Sequence, residues 1–149
     1  MRVTTLFLLP LIALATACGQ GDPAVNVTDA VVRLPAVPGN PGAAYFTLRT
    51  NKTPMRILGL SSPQVQRIEL HESEMAGGRM RMGPLEDNSF GAEGVKVFEE
   101  GGAHAMLFNI NPAVQPGGTV RITFDFDNAP DVTMDVPVEG AGGQGAHGH

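Results

Sequence analysis

Thr119-Val120-Arg121-Ile122-Thr123-Phe124-Asp125-Phe126 alternates without a break, with Val120, Ile122, Phe124 and Phe126 on one side and polar or charged residues on the other. This period of two marks a strand with one face on a core and the other in water. Downstream, Val132 to Val138 repeats the pattern with Met134, Val136 and Val138. Upstream, strands are expected at Ala43–Arg49, Met55–Leu60, Val65–His71, Arg79–Met82, Val95–Phe98 and His104–Ile110, with one or two more within Val25–Ala36. Turn formers separate them: Pro38-Gly39-Asn40-Pro41-Gly42, Ser61-Ser62-Pro63, Gly77-Gly78, Gly101-Gly102 and Asn111-Pro112. Eight or nine short strands spaced about 8–12 residues apart predict an all-β antiparallel β-sandwich or Greek-key barrel. No stretch has helical periodicity longer than a turn or two.

The 149 residues suit one domain, and the formal net charge is −5. A chain without a basic face cannot displace phosphate counterions, so nucleic-acid binding is excluded. Arg2 followed by the apolar run Leu6–Ala17 is too short to span a membrane ahead of a domain and reads as a secretory signal. The run ends Leu14-Ala15-Thr16-Ala17-Cys18, small residues before the single cysteine, which predicts a lipoprotein signal with Cys18 lipidated. Four segments follow: signal 1–17, lipidated Cys18 with a tether to residue 24, a β domain 25–138, and a disordered Gly/His tail 139–149. The protein is therefore expected on the periplasmic or cell-envelope side of a bacterial membrane, held by its lipid.

Two histidines fall in the folded segments, each with methionine nearby. His104 and Met106 are two apart on a strand and share a side of the sheet, as do Met80 and Met82. The Gly77-Gly78 turn folds Met80 and Met82 back toward His71. Thioethers are soft and uncharged, so a set of imidazole and thioether donors suits copper(I) and competes poorly for Zn²⁺, Mg²⁺ or Ca²⁺. Outside the cytoplasm thiols are driven into disulfides, whereas thioethers are not. Each residue taken singly also fits simple packing: Met80, Met82 and Met106 as core filler, His71 as a solvated strand end.

The interval His71, ten residues, Met82, twenty-one residues, His104, one residue, Met106 resembles the ligand motif of the periplasmic copper chaperones of the PCuAC type. Gly42–Leu48, Ile68–Glu72, Met80–Met82 and Val136–Val138 agree with the same family, and the resemblance runs from about Val25 to Val138. It implies a cupredoxin-like barrel holding copper(I) on His71, Met82, His104 and Met106. It also implies delivery to a cuproenzyme such as the dinuclear copper centre of cytochrome c oxidase, with Sco-type copper proteins as donor or recipient. Ala103 and Ala105 flank His104 where bulkier residues are common in the family, which predicts a thin, exposed shell. Met80 and Met75, the latter placed in the turn after His71, are secondary candidates for metal. His147 and His149 in the tail suit Cu(II), Ni(II) or Zn(II).

Other functions find less support. A blue-copper electron carrier needs a cysteine thiolate beside two histidines, and the single cysteine sits at the tether. Ser61, Ser62, Ser73 and Ser89 lie in no nucleophile-elbow context and no carboxylate pair stands out, so an enzyme is not expected. The remaining alternative is a binding or adhesion lipoprotein whose methionines pack its core.

Overall fold

The computed structural model describes residues 24–51, 53–90 and 94–142. The signal, Cys18, nearly all of the tether, His147 and His149 lie outside the described residues. Ten strands run in chain order: β1 (Val25–Arg33), β2 (Gly42–Thr50), β3 (Met55–Ser61), β4 (Val65–Ala76), β5 (Arg79–Pro84), β6 (Ser89–Phe90), β7 (Val95–Phe98), β8 (Ala103–Ile110), β9 (Thr119–Phe126) and β10 (Val132–Glu139). There is no helix among the described residues.

The strands pair in the order β5-β4-β8-β2-β1-β10-β9-β3-β6, with β7 added on β2. All pairs are antiparallel except β1 with β10, where Val32 faces Val138 and Arg33 faces Glu139. β2 is shared along its length: Gly42–Ala44 pair with β8, and Phe46–Arg49 pair with β7. The expected alternation holds on β9, whose Val120, Ile122, Phe124 and Phe126 are all buried. They meet Val32, Phe46, Leu48 and Leu107 from the facing strands, and Phe46 stacks on Phe98 at 4.3 Å and meets the edge of Phe124 at 5.0 Å. Aromatic pairs in these two geometries add to area burial by about 0.5–1.5 kcal/mol each.

Weak alternation in Val25–Ala36 has a local cause. Val27 and Val32 are both buried although their spacing is odd. The register with β2 shifts between Thr28 and Val31, around Asp29 at φ 55°. Inserting residues at a bulge resets which way side chains face, so one strand of nine residues serves where one or two were expected. Asn109 in β8 also has a positive φ, 52°, but the register of β8 with β4 runs through it unshifted, so side chains keep their faces there.

Two further corrections concern β4. His71 does not end a strand, because β4 continues to Ala76. Met75 is therefore not in a turn but in β4, directly opposite Met80 on β5. The turn is Gly77-Gly78, with φ of 58° and 75°. Positive φ at both central residues is the two-residue hairpin geometry whose twist matches the strands, and glycine adopts it without steric cost. Residues 73–82 form an arm that runs past the core, so β5 is exposed on both faces apart from Gly83.

Candidate metal centre

Core contact decides which face of β4 and β8 looks outward. Ala105 and Leu107 are fully buried, which turns His104, Met106 and Phe108 to the outer face. Register pairs His71 with His104, Glu69 with Met106 and Arg67 with Phe108, so all six share that face. Across the other edge of β4, Ser73 pairs with Met82 and His71 with Pro84. Ala43 on β2 pairs with Met106. The motif residues thus come from three adjacent strands on one side of a sheet.

Met82, His104 and Met106 line a single shallow pocket of about 330 Å³, together with Arg33, Ala43, Tyr45, Ser73, Glu100 and Gly101. Ser73 lies between Met82 and β8, its amide donating to the Gly102 carbonyl at 3.1 Å, and its small side chain leaves room for the Met82 thioether. His71 sits at the border. Its ring centroid is 6.2 Å from that of His104, and it lines the neighbouring recess with Pro84 and Leu85. The structure therefore brings three of the four motif side chains to one pocket and sets the fourth beside it.

The imidazole hydrogen bonds show which nitrogens have free lone pairs. His104 Nδ1 lies 2.9 Å from the Gly102 carbonyl, which can only accept, so Nδ1 carries the proton and Nε2 keeps its lone pair. His71 Nε2 lies 3.1 Å from a Glu69 carboxylate oxygen and by the same logic is the protonated nitrogen. His71 Nδ1 is buried and has no hydrogen-bond partner. A buried polar atom without a partner costs about 1–3 kcal/mol, and a soft cation accepting its lone pair would remove that cost. Carboxylate or carbonyl support behind an imidazole is the usual arrangement for a metal-binding histidine. Among the described residues no group of three or more His, Cys, Asp or Glu could hold a metal ion, so any site here depends on the thioethers.

The wall of the pocket opposite His71 is built from distant sequence. Arg33 lies over the Tyr45 ring at 5.2 Å and bonds Glu100 at 2.8 Å, and that hydrogen bond raises its pKa above the ordinary arginine value. Burial, and then the charge of Glu100, pushes the Tyr45 phenol up. Nothing in the motif spacing signals these three residues, because β1, β2 and the loop before β8 meet only after folding.

Two expectations change here. Ala103 and Ala105 do not form a shell around the imidazole, since they belong to the core-facing side of β8, and His104 is only 6% exposed. A methionine-packed core is also not what forms. Met55 is buried, but Met75, Met80 and Met82 are 66%, 59% and 56% exposed, and Met106 is half-buried on the outer face.

The chain matches the LpqE-like family model, a lipoprotein family by its description, over residues 25–138. No curated protein matches it. Among solved structures it resembles a copper-bound PCuAC domain from PmoF2, with 21% identity over 78% of this chain and 92% of that one, and a TM-score of 0.59. Apo-DR1885 from Deinococcus radiodurans has 25% identity over 94% of this chain and 97% of that one, at a TM-score of 0.57. The copper(I) form of DR1885 has 22% identity over 84% and 83%, at 0.58. The all-β, cupredoxin-like architecture is the fold of these domains.

Proposed function

The chain belongs to the LpqE-like family, and on that premise we propose that it is an extracytoplasmic copper(I) carrier holding one ion between His71, Met82, His104 and Met106. The observation that carries this reading is the convergence on one outer face of two thioethers and His104 Nε2, beside the buried, unpartnered Nδ1 of His71. The similar folds include a copper-bound and a copper(I) form, which supports the choice of metal. Two neutral nitrogens and two thioethers suit a monovalent d¹⁰ ion that prefers soft donors. The absence of an anionic ligand from the set holds it loosely enough for release to a partner.

In this reading Cys18 carries the lipid, so the domain works on the periplasmic or cell-envelope side of a membrane. Its recipient is a cuproenzyme, with the dinuclear copper centre of cytochrome c oxidase as the specific proposal and a Sco-type protein as companion donor or acceptor. His147 and His149 are assigned at most an accessory role toward Cu(II).

Titration against a chromogenic copper(I) chelator, with X-ray absorption of the loaded protein, tests the assignment. One retained equivalent with mixed nitrogen and sulfur donors is expected. Met82→Leu and Met106→Leu should each weaken copper retention, with stability changes of less than about 1.5 kcal/mol because volume is conserved. If both variants hold copper like the parent, the thioether assignment is wrong. If the parent retains no equivalent, the carrier function is wrong.

A further inference from the structure

The hairpin arm presents a thioether surface that the four-residue site does not use. Register pairs on its outer face are His71 with Pro84, Ser73 with Met82, and Met75 with Met80. On the reverse face Glu74 opposes Arg81, and Ala76 opposes Arg79. One face of the arm is therefore sulfur and the other mostly charge. Neither side of β5 packs on the core, and the methionines are more than half exposed. Core filling does not explain Met75 and Met80. Large apolar side chains gain nothing from packing when they stay in water, and adaptable filling is the ordinary reason to place methionine in a fold.

The pairing type brings the two sulfurs close. Leu85 N donates to Leu70 O at 3.0 Å, which makes 70 with 85 a hydrogen-bonded pair. Alternation along an antiparallel ladder then makes 72 with 83, 74 with 81 and 76 with 79 hydrogen-bonded, and 71 with 84, 73 with 82 and 75 with 80 non-hydrogen-bonded. Pro84, which has no N–H, occupies one of the latter. In such pairs the Cα atoms are about 4.5 Å apart and the side chains are at their nearest. Met82 follows Met80 at two residues on the same face, and Met82 also lines the pocket with His104 and Met106.

We propose that Met75 and Met80 form a second, weaker soft-cation site at the tip of the hairpin, with Met82 as the thioether bridging it to the pocket. Its ligand class is a monovalent d¹⁰ ion, copper(I) or silver(I), because only soft cations bind neutral sulfur in water. Existence of the site stands on register and exposure. Its role, as the point where cargo enters and leaves, rests on the carrier reading above. Passage along the arm exchanges one sulfur-to-metal dative bond for another, with the metal remaining monovalent and no proton or electron moving.

The test is a silver(I) titration of the full-length chain carrying Cys18→Ser, which removes a competing thiol, with the methionine methyl groups labelled with ¹³C and followed by NMR. The first equivalent is expected to shift the Met82 and Met106 methyls, and the second the Met75 and Met80 methyls. Met75→Leu/Met80→Leu should keep the first equivalent, lose the second, and release copper(I) to a chelator more slowly than the parent. The hairpin site is overturned if the double variant still takes two equivalents, or if Met75 and Met80 respond fully with the first. A response at Met75 and Met80 without one at Met82 and Met106 would uphold the hairpin site and sink the carrier reading.

Discussion

Replacing Glu69 isolates the support behind His71 without touching a proposed ligand. Its carboxylate accepts a hydrogen bond from His71 Nε2–H at 3.1 Å through one oxygen and one from Arg67 Nε at 3.0 Å through the other. This fixes the tautomer that leaves Nδ1 as the donor. Losing such a partner usually lowers metal affinity by about 10–100-fold. The Glu69 side chain is 40% exposed and shares its charge with Arg67, so water already screens part of its effect. The lower end applies: about tenfold, or about 1.4 kcal/mol, for Glu69→Leu. Glu69→Gln keeps an acceptor oxygen for Nε2 and loses only the charge, so its deficit should be smaller. Competition with a bidentate copper(I) chelator at fixed pH reads both variants, and ¹⁵N shifts of the His71 ring read the tautomer. A Glu69→Leu protein that matches the parent in affinity would refute the claim that this hydrogen bond prepares Nδ1.

Leu107→Ala should cost about 2–5 kcal/mol in chemical denaturation, because Leu107 is fully buried behind the site face, and a smaller loss would mean the core collapses around the gap. Gly78→Ala forces a side chain into φ 75° at the hairpin turn and should cost about 1–2 kcal/mol there, visible as faster amide exchange at 75–80 rather than in β9. The Ser89 hydroxyl and amide both donate to Asp87 and hold its carboxyl below the usual range. A carboxyl lowered on folding adds stability above its unfolded pKa and loses it as pH falls through the folded value, so Ser89→Ala should raise the Asp87 pKa by NMR and flatten acid sensitivity. An unmoved Asp87 pKa would show that the hydroxyl contributes nothing.

Alternation made most of the sandwich legible, because strands such as β9 see the core on one face along their whole length. β6 escaped since Ser89–Phe90 is too short to alternate. The extension of β4 from His71 to Ala76 escaped for the opposite reason: on an arm in water, neither face is selected for apolar residues, and Glu72-Ser73-Glu74 reads as loop. At the proposed site, the family resemblance singled out the four motif residues, but the sequence does not indicate that Met75 and Met80 oppose each other. That needs the register of a strand whose continuation the pattern hides. Arg33, Tyr45 and Glu100 reach the pocket through pairing of β1 with β2 and a contact 67 residues apart in sequence, which local spacing does not encode.

Strand β1 spans the distance between two ends of the domain. Its last residue, Arg33, borders the mouth where Met106 and His104 lie, whereas its first, Val25, is at the opposite end. Nine extended residues cover roughly 26 Å between the first and last Cα. If Cys18 carries a lipid as proposed, the chain would enter the domain at the end of β1 remote from the mouth where the candidate ligands lie.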